Sequence, residues 1–124
     1  MVIDTHSHVS PYWFEPVETL LFQMESHGVD KAVLVQCRGQ TDNTYLFQCI
    51  RRFPGRVCAV VIVDTQGSGA LADLERLAAD GASGIRLNPS TRSPGQDSLA
   101  IWLIVLHFSG GICRVDHKQI SRRS

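Results

Sequence analysis

Short apolar runs alternate with segments of helical periodicity through the first 88 residues, and this alternation constrains the fold more than any other feature. The apolar runs have the length of strands and are residues 2–6, 31–36, 57–63 and 84–88. Between them, apolar side chains recur at helical spacing over residues 17–24, 45–53 and 71–78. Strands that alternate with helices form right-handed crossovers and a parallel sheet. The sequence therefore predicts an α/β fold with the order β-α-β-α-β-α-β.

Polar and ionisable residues gather where these predicted strands end. They are His6, His8, Gln36, Cys37, Asp64 and Asn88, with Arg86 just inside the fourth strand. Parallel α/β sheets bind their ligands at the carboxyl ends of the strands. The sequence therefore predicts that a functional site lies at this edge of the sheet.

The segment IDTHSH, residues 3–8, places two histidines two positions apart at the end of the first strand. Residues i and i+2 of a strand point to the same side, so His6 and His8 can offer two imidazole nitrogens to one ion, each at about 2.0–2.1 Å. Two imidazoles that merely end a strand are the alternative. Their position directly after an apolar strand favours a metal site.

Three segments of the sequence, the first of which contains IDTHSH, occur in order along the chain. They are MVIDTHSHV at the start, RRFPGR leading into AVVIVD within residues 51–64, and GASGIRLNPSTRSPG at residues 81–95. Together they resemble the amidohydrolase superfamily, specifically its amidohydrolase-2 branch, over about residues 1–102. The resemblance implies a (β/α)₈ barrel whose first strand ends in the histidine pair. It also implies hydrolysis of a lactone, an amide or a related carbonyl substrate, or removal of a carboxyl group without oxidation.

The resemblance also implies roles for individual residues. His6 and His8 would be ligands of a divalent metal, zinc or manganese, and Arg86 would project from the fourth strand toward the substrate. An ion pair with Asp64 is the alternative for Arg86, because a guanidinium inside a parallel sheet must find an anionic partner. Asp4 would orient one of the imidazoles through a hydrogen bond. Without a placed base, Cys37 is expected to serve packing rather than nucleophilic attack.

The length of the chain limits how much of a barrel it can form. A (β/α)₈ barrel takes roughly 200–250 residues, and this chain has 124. We expect residues 1–102 to form the N-terminal half of a barrel, and residues 103–124 to be a divergent tail that is frameshifted or disordered. The resemblance implies that a complete site takes further ligands from strands five, six and eight. His107 is not expected to be one, because too few residues precede it for another covering helix.

Two functional classes stay open. In the first, the chain is an impaired metal-dependent hydrolase, or a non-oxidative decarboxylase of the same family. Two imidazoles hold a metal weakly, since a catalytic zinc generally has three protein ligands. In the second, the chain is a catalytically inactive fragment that serves as a small binding or interaction domain. A symmetric homodimer that closes two half-barrels would bring four histidines together.

Composition excludes several other classes of protein. The chain is 44% hydrophobic and 19% charged with a formal net charge of zero, which is typical of a globular protein and gives no basis for nucleic-acid binding. No apolar run approaches the roughly 20 residues of a membrane-spanning helix. Its four cysteines form no CxxC pair, so we expect reduced thiols and a cytoplasmic location.

Overall fold

A computed structural model describes residues 1–64 and 68–86 and confirms the predicted alternation. The strands are β1 (Ile3–Ser7), β2 (Lys31–Val35), β3 (Val57–Val61) and β4 (Gly84–Ile85), and the helices are α1 (Val17–His27), α2 (Thr44–Arg52) and α3 (Ala70–Ala79). The predictions for Asn88, His107 and residues 103–124 lie outside the described residues. None of the helices in the described ranges is long and apolar enough to cross a membrane.

The four strands form one parallel sheet in the order β1-β2-β3-β4. Each of the three pairs is thus sequential along the chain, as expected when each helix carries the chain over to the next strand. The β2–β3 pairing is regular from Ala32–Val57 to Val35–Val60. All carboxyl ends therefore meet at one edge, with the histidine strand β1 outermost among the described strands.

The core lies between the sheet and its helices. Its largest fully buried side chains are Leu34, Leu46, Leu74, Val17, Val61 and Cys49. On β3 the buried residues alternate with half-buried Cys58 and Val60. The sequence predicted strands covered on both faces, whereas the described residues cover one face of β3 more completely than the other.

The third helix differs in one detail from its predicted face. Helical spacing placed Leu71 on the buried stripe, but its side chain is 39% exposed. Leu74 and Leu77 are buried as predicted, and Ala70 joins them, so that the three follow the i, i+4, i+7 spacing of a single face. The prediction for Leu71 is wrong because the small side chain of Ala70 occupies that place in the stripe.

Cys49 gives the core a measurable dependence on pH. Burial raises the pKa of its thiol from the ordinary 9.0 to about 11, so between pH 9 and 11 the unfolded chain releases this proton while the folded chain keeps it. The free energy of unfolding should therefore fall over this range. We expect a shallower decline in Cys49→Ala, measured by urea unfolding at several pH values. Parallel declines in the two proteins would contradict the assignment.

Candidate metal centre

The end of β1 departs from regular pairing. Asp4 pairs with Ala32 and Ser7 with Leu34, so three steps along β1 lie opposite two steps along β2. This extra residue is a bulge, a feature that bends a strand and re-aims its side chains. Ser7 is buried, whereas His6 is exposed and His8 is half-buried. The bulge thus leaves both imidazoles on the more open side of the strand.

The two imidazoles face each other through their Nε2 atoms. The Nε2–Nε2 distance is 3.1 Å, the ring centroids are 4.8 Å apart, and the rings are nearly perpendicular at 87°. Two nitrogens bound to one tetrahedral zinc at 2.0–2.1 Å lie roughly 3.3 Å apart. The pair therefore fits two ligand positions on a single ion, in both donor chemistry and spacing.

A main-chain contact fixes the orientation of one ring. The Nδ1 atom of His8 lies 2.7 Å from the carbonyl oxygen of Val35. Because a carbonyl can only accept, Nδ1 carries the proton and Nε2 keeps its lone pair. Histidine ligands of metals generally donate their second ring N–H in this way. His8 is therefore held in the tautomer that can bind a metal through Nε2.

Asp4 acts on the backbone of the bulge. Its Oδ1 accepts a hydrogen bond from the His6 N–H at 3.0 Å, and its Oδ2 accepts one from the Ser7 hydroxyl at 2.6 Å. The resemblance implied a hydrogen bond between Asp4 and an imidazole, whereas these contacts join Asp4 to the His6 main chain and the Ser7 hydroxyl. Asp4 thus positions the segment that carries the histidines.

Removing the Asp4 carboxylate should loosen this segment. Asp4→Ala loses two charge-assisted hydrogen bonds, so we expect the free energy of unfolding to fall by about 1.5–3 kcal/mol. Asp4→Asn, which keeps one amide oxygen as acceptor, should fall by less. Urea unfolding measures both, with Asp80→Ala on the exposed end of α3 as control. Equal stabilities for Asp4→Ala and Asp80→Ala would refute the role.

Arg86 follows β4 and reaches the end of β2. Its Nη1 donates to the Gln36 carbonyl at 2.8 Å, and this bond uses one of the five N–H groups of a guanidinium. Burial raises the pKa of the nearby Cys37 thiol, and the positive charge of Arg86 partly offsets that rise. A thiol held protonated is a poor nucleophile.

Asp64 borders a second cavity, whose lining includes Asp73, Arg76 and Asp80 of the α3 region. The sequence placed Asp64 at the sheet edge that carries His6 and His8, and neither histidine lines this cavity. Asp64 thus shares a surface with charged side chains of the α3 region.

An open cavity of about 520 Å³, lined in part by Val9 and Phe14, lies beside the loop that follows β1, and its size is within the range of small-molecule sites. Phe14 stacks on the His8 ring with centroids 5.4 Å apart at 29°. Tyr12 and Trp13 continue the same wall and are 89% and 80% exposed. Sequence reasoning missed these aromatics. The available signal was YWF between two prolines in the loop after the first strand, because such loops line the sites of α/β barrels.

The described residues supply fewer metal ligands than a complete catalytic metal site uses. Within residues 1–64 and 68–86, no group of three or more His, Cys, Asp or Glu side chains is placed to hold a metal ion. The histidine pair has two nitrogen donors at the separation that zinc requires, which is one protein ligand fewer than a catalytic zinc generally has.

Comparison with known proteins decides the family. The model of the amidohydrolase family, Amidohydro_2, matches residues 3–110. The chain belongs to the amidohydrolase family. This confirms the resemblance seen in the sequence and makes this amidohydrolase a member of a hydrolase family whose members generally bind a divalent metal.

Solved structures agree in fold. A probable 2-pyrone-4,6-dicarboxylic acid hydrolase from Acinetobacter baumannii, crystallised with citric acid, matches with a TM-score of 0.63 and 24% identity over 86% of this amidohydrolase. An apo structure from Agrobacterium tumefaciens matches with a TM-score of 0.54 and 24% identity over 68%. The matches span only 45% and 36% of those two chains. The fold is that of half a (β/α)₈ barrel. No curated protein matches significantly.

Proposed function

We propose that this amidohydrolase takes part in metal-dependent hydrolysis of a lactone, an amide or a related carbonyl substrate. His6 and His8 are the proposed ligands of zinc or manganese. The observation that carries the proposal is the pair of facing Nε2 atoms, 3.1 Å apart, with the His8 ring held by the Val35 carbonyl. Incidental histidines at a strand end need neither the spacing nor the fixed tautomer.

When bound, the metal would polarise a carbonyl and lower the pKa of a water molecule. The chain's own residues account for the remaining tasks. His6 and His8 hold the ion at the strand edge, and Phe14 packs against His8 on the side of the adjoining cavity. Arg86 is the proposed anchor for an anionic group of the substrate, because its guanidinium lies at the same sheet edge, against the Gln36 carbonyl, and a guanidinium can bind a carboxylate through two parallel hydrogen bonds.

A second function is metal binding without turnover. It is favoured by the two-ligand count among the described residues, since catalytic zinc generally has three protein ligands. This is the proposed behaviour of the chain as an inactive fragment or small binding domain. A homodimer that brings two histidine pairs together would instead complete the ligand set, and size-exclusion chromatography with and without zinc distinguishes these cases.

The proposed location is the cytoplasm. Cys37 and Cys49 are free thiols among the described residues, and burial raises the pKa of both. Unpaired cysteines of this kind suit a reducing compartment. Expression with fractionation of the host cell tests the location.

Turnover by the 124-residue chain tests the hydrolase proposal. The chain is loaded with zinc or manganese and offered lactones, amides and 2-pyrone-4,6-dicarboxylic acid, the compound named for the Acinetobacter hydrolase. We expect metal-dependent hydrolysis that His6→Ala/His8→Ala abolishes and His27→Ala retains. Metal uptake without turnover supports the second function, and release of carbon dioxide from a carboxylated substrate supports the decarboxylase. Turnover that survives loss of both histidines contradicts the proposal.

A further inference from the structure

Two consecutive peptide groups at the end of β2 bind His8 and Arg86, the candidate site residues that follow β1 and β4. The first peptide group has the Val35 carbonyl, which accepts from His8 Nδ1 at 2.7 Å, and the Gln36 N–H, which donates to Val60 at 2.9 Å. The second has the Gln36 carbonyl, which accepts from Arg86 at 2.8 Å, and the Cys37 N–H. The orientation of these two planes therefore sets where His8 and Arg86 point.

The side chain of Gln36 fixes the second plane, and the first plane meets the second at the Cα of Gln36. Its Oε1 accepts from the Cys37 N–H at 2.9 Å, and its Nε2 donates to the Asp42 carbonyl at 2.9 Å and to Asn43 Oδ1 at 3.1 Å. Gln36 is only 6% exposed. A buried amide whose donors and acceptor are all engaged has one allowed orientation.

Asn43 anchors Gln36 to the neighbouring strand. Its Nδ2 donates to the carbonyls of Ile62 and Thr41 at 2.9 and 3.1 Å, and its Oδ1 accepts from the Ile62 N–H at 3.2 Å. Asn43 is 4% exposed and begins the loop-to-helix junction of α2, yet makes no side-chain cap there. Its bonding capacity is directed to the end of β3 and to Gln36 instead of to the helix.

We propose that Gln36 and Asn43 are positioning residues that fix the tautomer of His8 and the direction of Arg86 through the end of β2. The role rests on the proposed function, because it serves a metal bound at Nε2 of His8. It nevertheless has a consequence in the metal-free protein: the protonation of His8 at Nδ1, against the Val35 carbonyl, should depend on the side chain of Gln36. A pair that served only stability would leave this tautomer unchanged.

Nitrogen-15 NMR of the imidazole rings tests the proposal without any metal. At a pH where the rings are neutral, wild-type His8 should show a protonated Nδ1, as should His27, whose Nδ1 lies 2.8 Å from the Gln23 carbonyl. In Gln36→Met, His8 should become a mixture of tautomers while His27 stays unchanged. Gln48→Met makes the same chemical change on the exposed side of α2 and should alter neither ring. If Gln36→Met does not fold, Asn43→Ser is the milder change with the same expected direction.

Zinc affinity gives the second readout. Loss of a group that orients a metal ligand lowers affinity by about 10–100-fold, so we expect a loss of that size in Gln36→Met and none in Gln48→Met. A wild-type His8 protonated at Nε2, or a Gln36→Met protein that unfolds more easily but keeps the His8 tautomer and zinc affinity, would overturn the proposal. If the wild type does not bind zinc but the His8 tautomer still differs between the wild type and Gln36→Met, the proposed function is wrong and the positioning role is supported.

Discussion

The His8→Ala variant should bind zinc more than about 100-fold more weakly than the unaltered chain. This loss is larger than the loss caused by removing a group that only orients a metal ligand. The substitution removes one of two nitrogens that face each other at 3.1 Å, and it also removes the ring that the Val35 carbonyl holds. A single remaining imidazole leaves the ion mostly to water. Competition against a chromophoric chelator measures the change.

His27 supplies the matched control for this experiment. It lies at the exposed end of α1 with its Nδ1 against the Gln23 carbonyl, so His27→Ala removes an imidazole from the chain without touching the candidate site. Its zinc affinity should match that of the unaltered chain. If His8→Ala and His27→Ala bind zinc equally well, the metal does not bind at the end of β1.

Leu34→Ala should lower the free energy of unfolding by about 2–5 kcal/mol. Leu34 is fully buried on β2, which pairs with a strand on each side, so the missing methyl groups leave a cavity that the sheet cannot close by shifting. Leu71→Ala makes the same chemical change at a position that is 39% exposed on α3, and its cost should be below about 1 kcal/mol. Urea unfolding at neutral pH compares the two.

The difference between these two leucines also tests the corrected face of α3. Sequence periodicity grouped Leu71 with the buried residues, and the structure exposes it in favour of Ala70. If Leu71→Ala is as destabilising as Leu34→Ala, then Leu71 lies in the core and the helix packs by the face that the sequence predicted.

The helices and strands could be predicted because buried faces require apolar residues at regular spacing along the sequence. The apolar runs that became β2 and β3, and the glycine that ends α1, follow from residue types alone. Gly28 adopts a positive φ of 67° and its N–H donates to the Met24 carbonyl, as a helix-ending glycine does. The histidine pair could also be predicted, because side chains at positions i and i+2 of a strand lie on the same face.

Other features depend on contacts between distant residues and leave no such regular spacing in the sequence. The bulge between Asp4 and Ser7 exists only in relation to β2, so the hydrogen bond from the His6 N–H to Asp4 could not be predicted from the sequence. The residue type of Asn43 suits a helix cap, whereas its side chain binds the end of β3. The stacking of Phe14 on His8 likewise needs the loop's path in space.

X-ray absorption spectroscopy of the zinc-loaded chain tests the central claim most directly, because it reports the atoms bound to the metal. The account predicts two imidazole nitrogens at about 2.0–2.1 Å from zinc, and their disappearance from the spectrum in His6→Ala/His8→Ala. A zinc ion without imidazole neighbours, or a spectrum that is the same in both proteins, would show that IDTHSH is not a metal site.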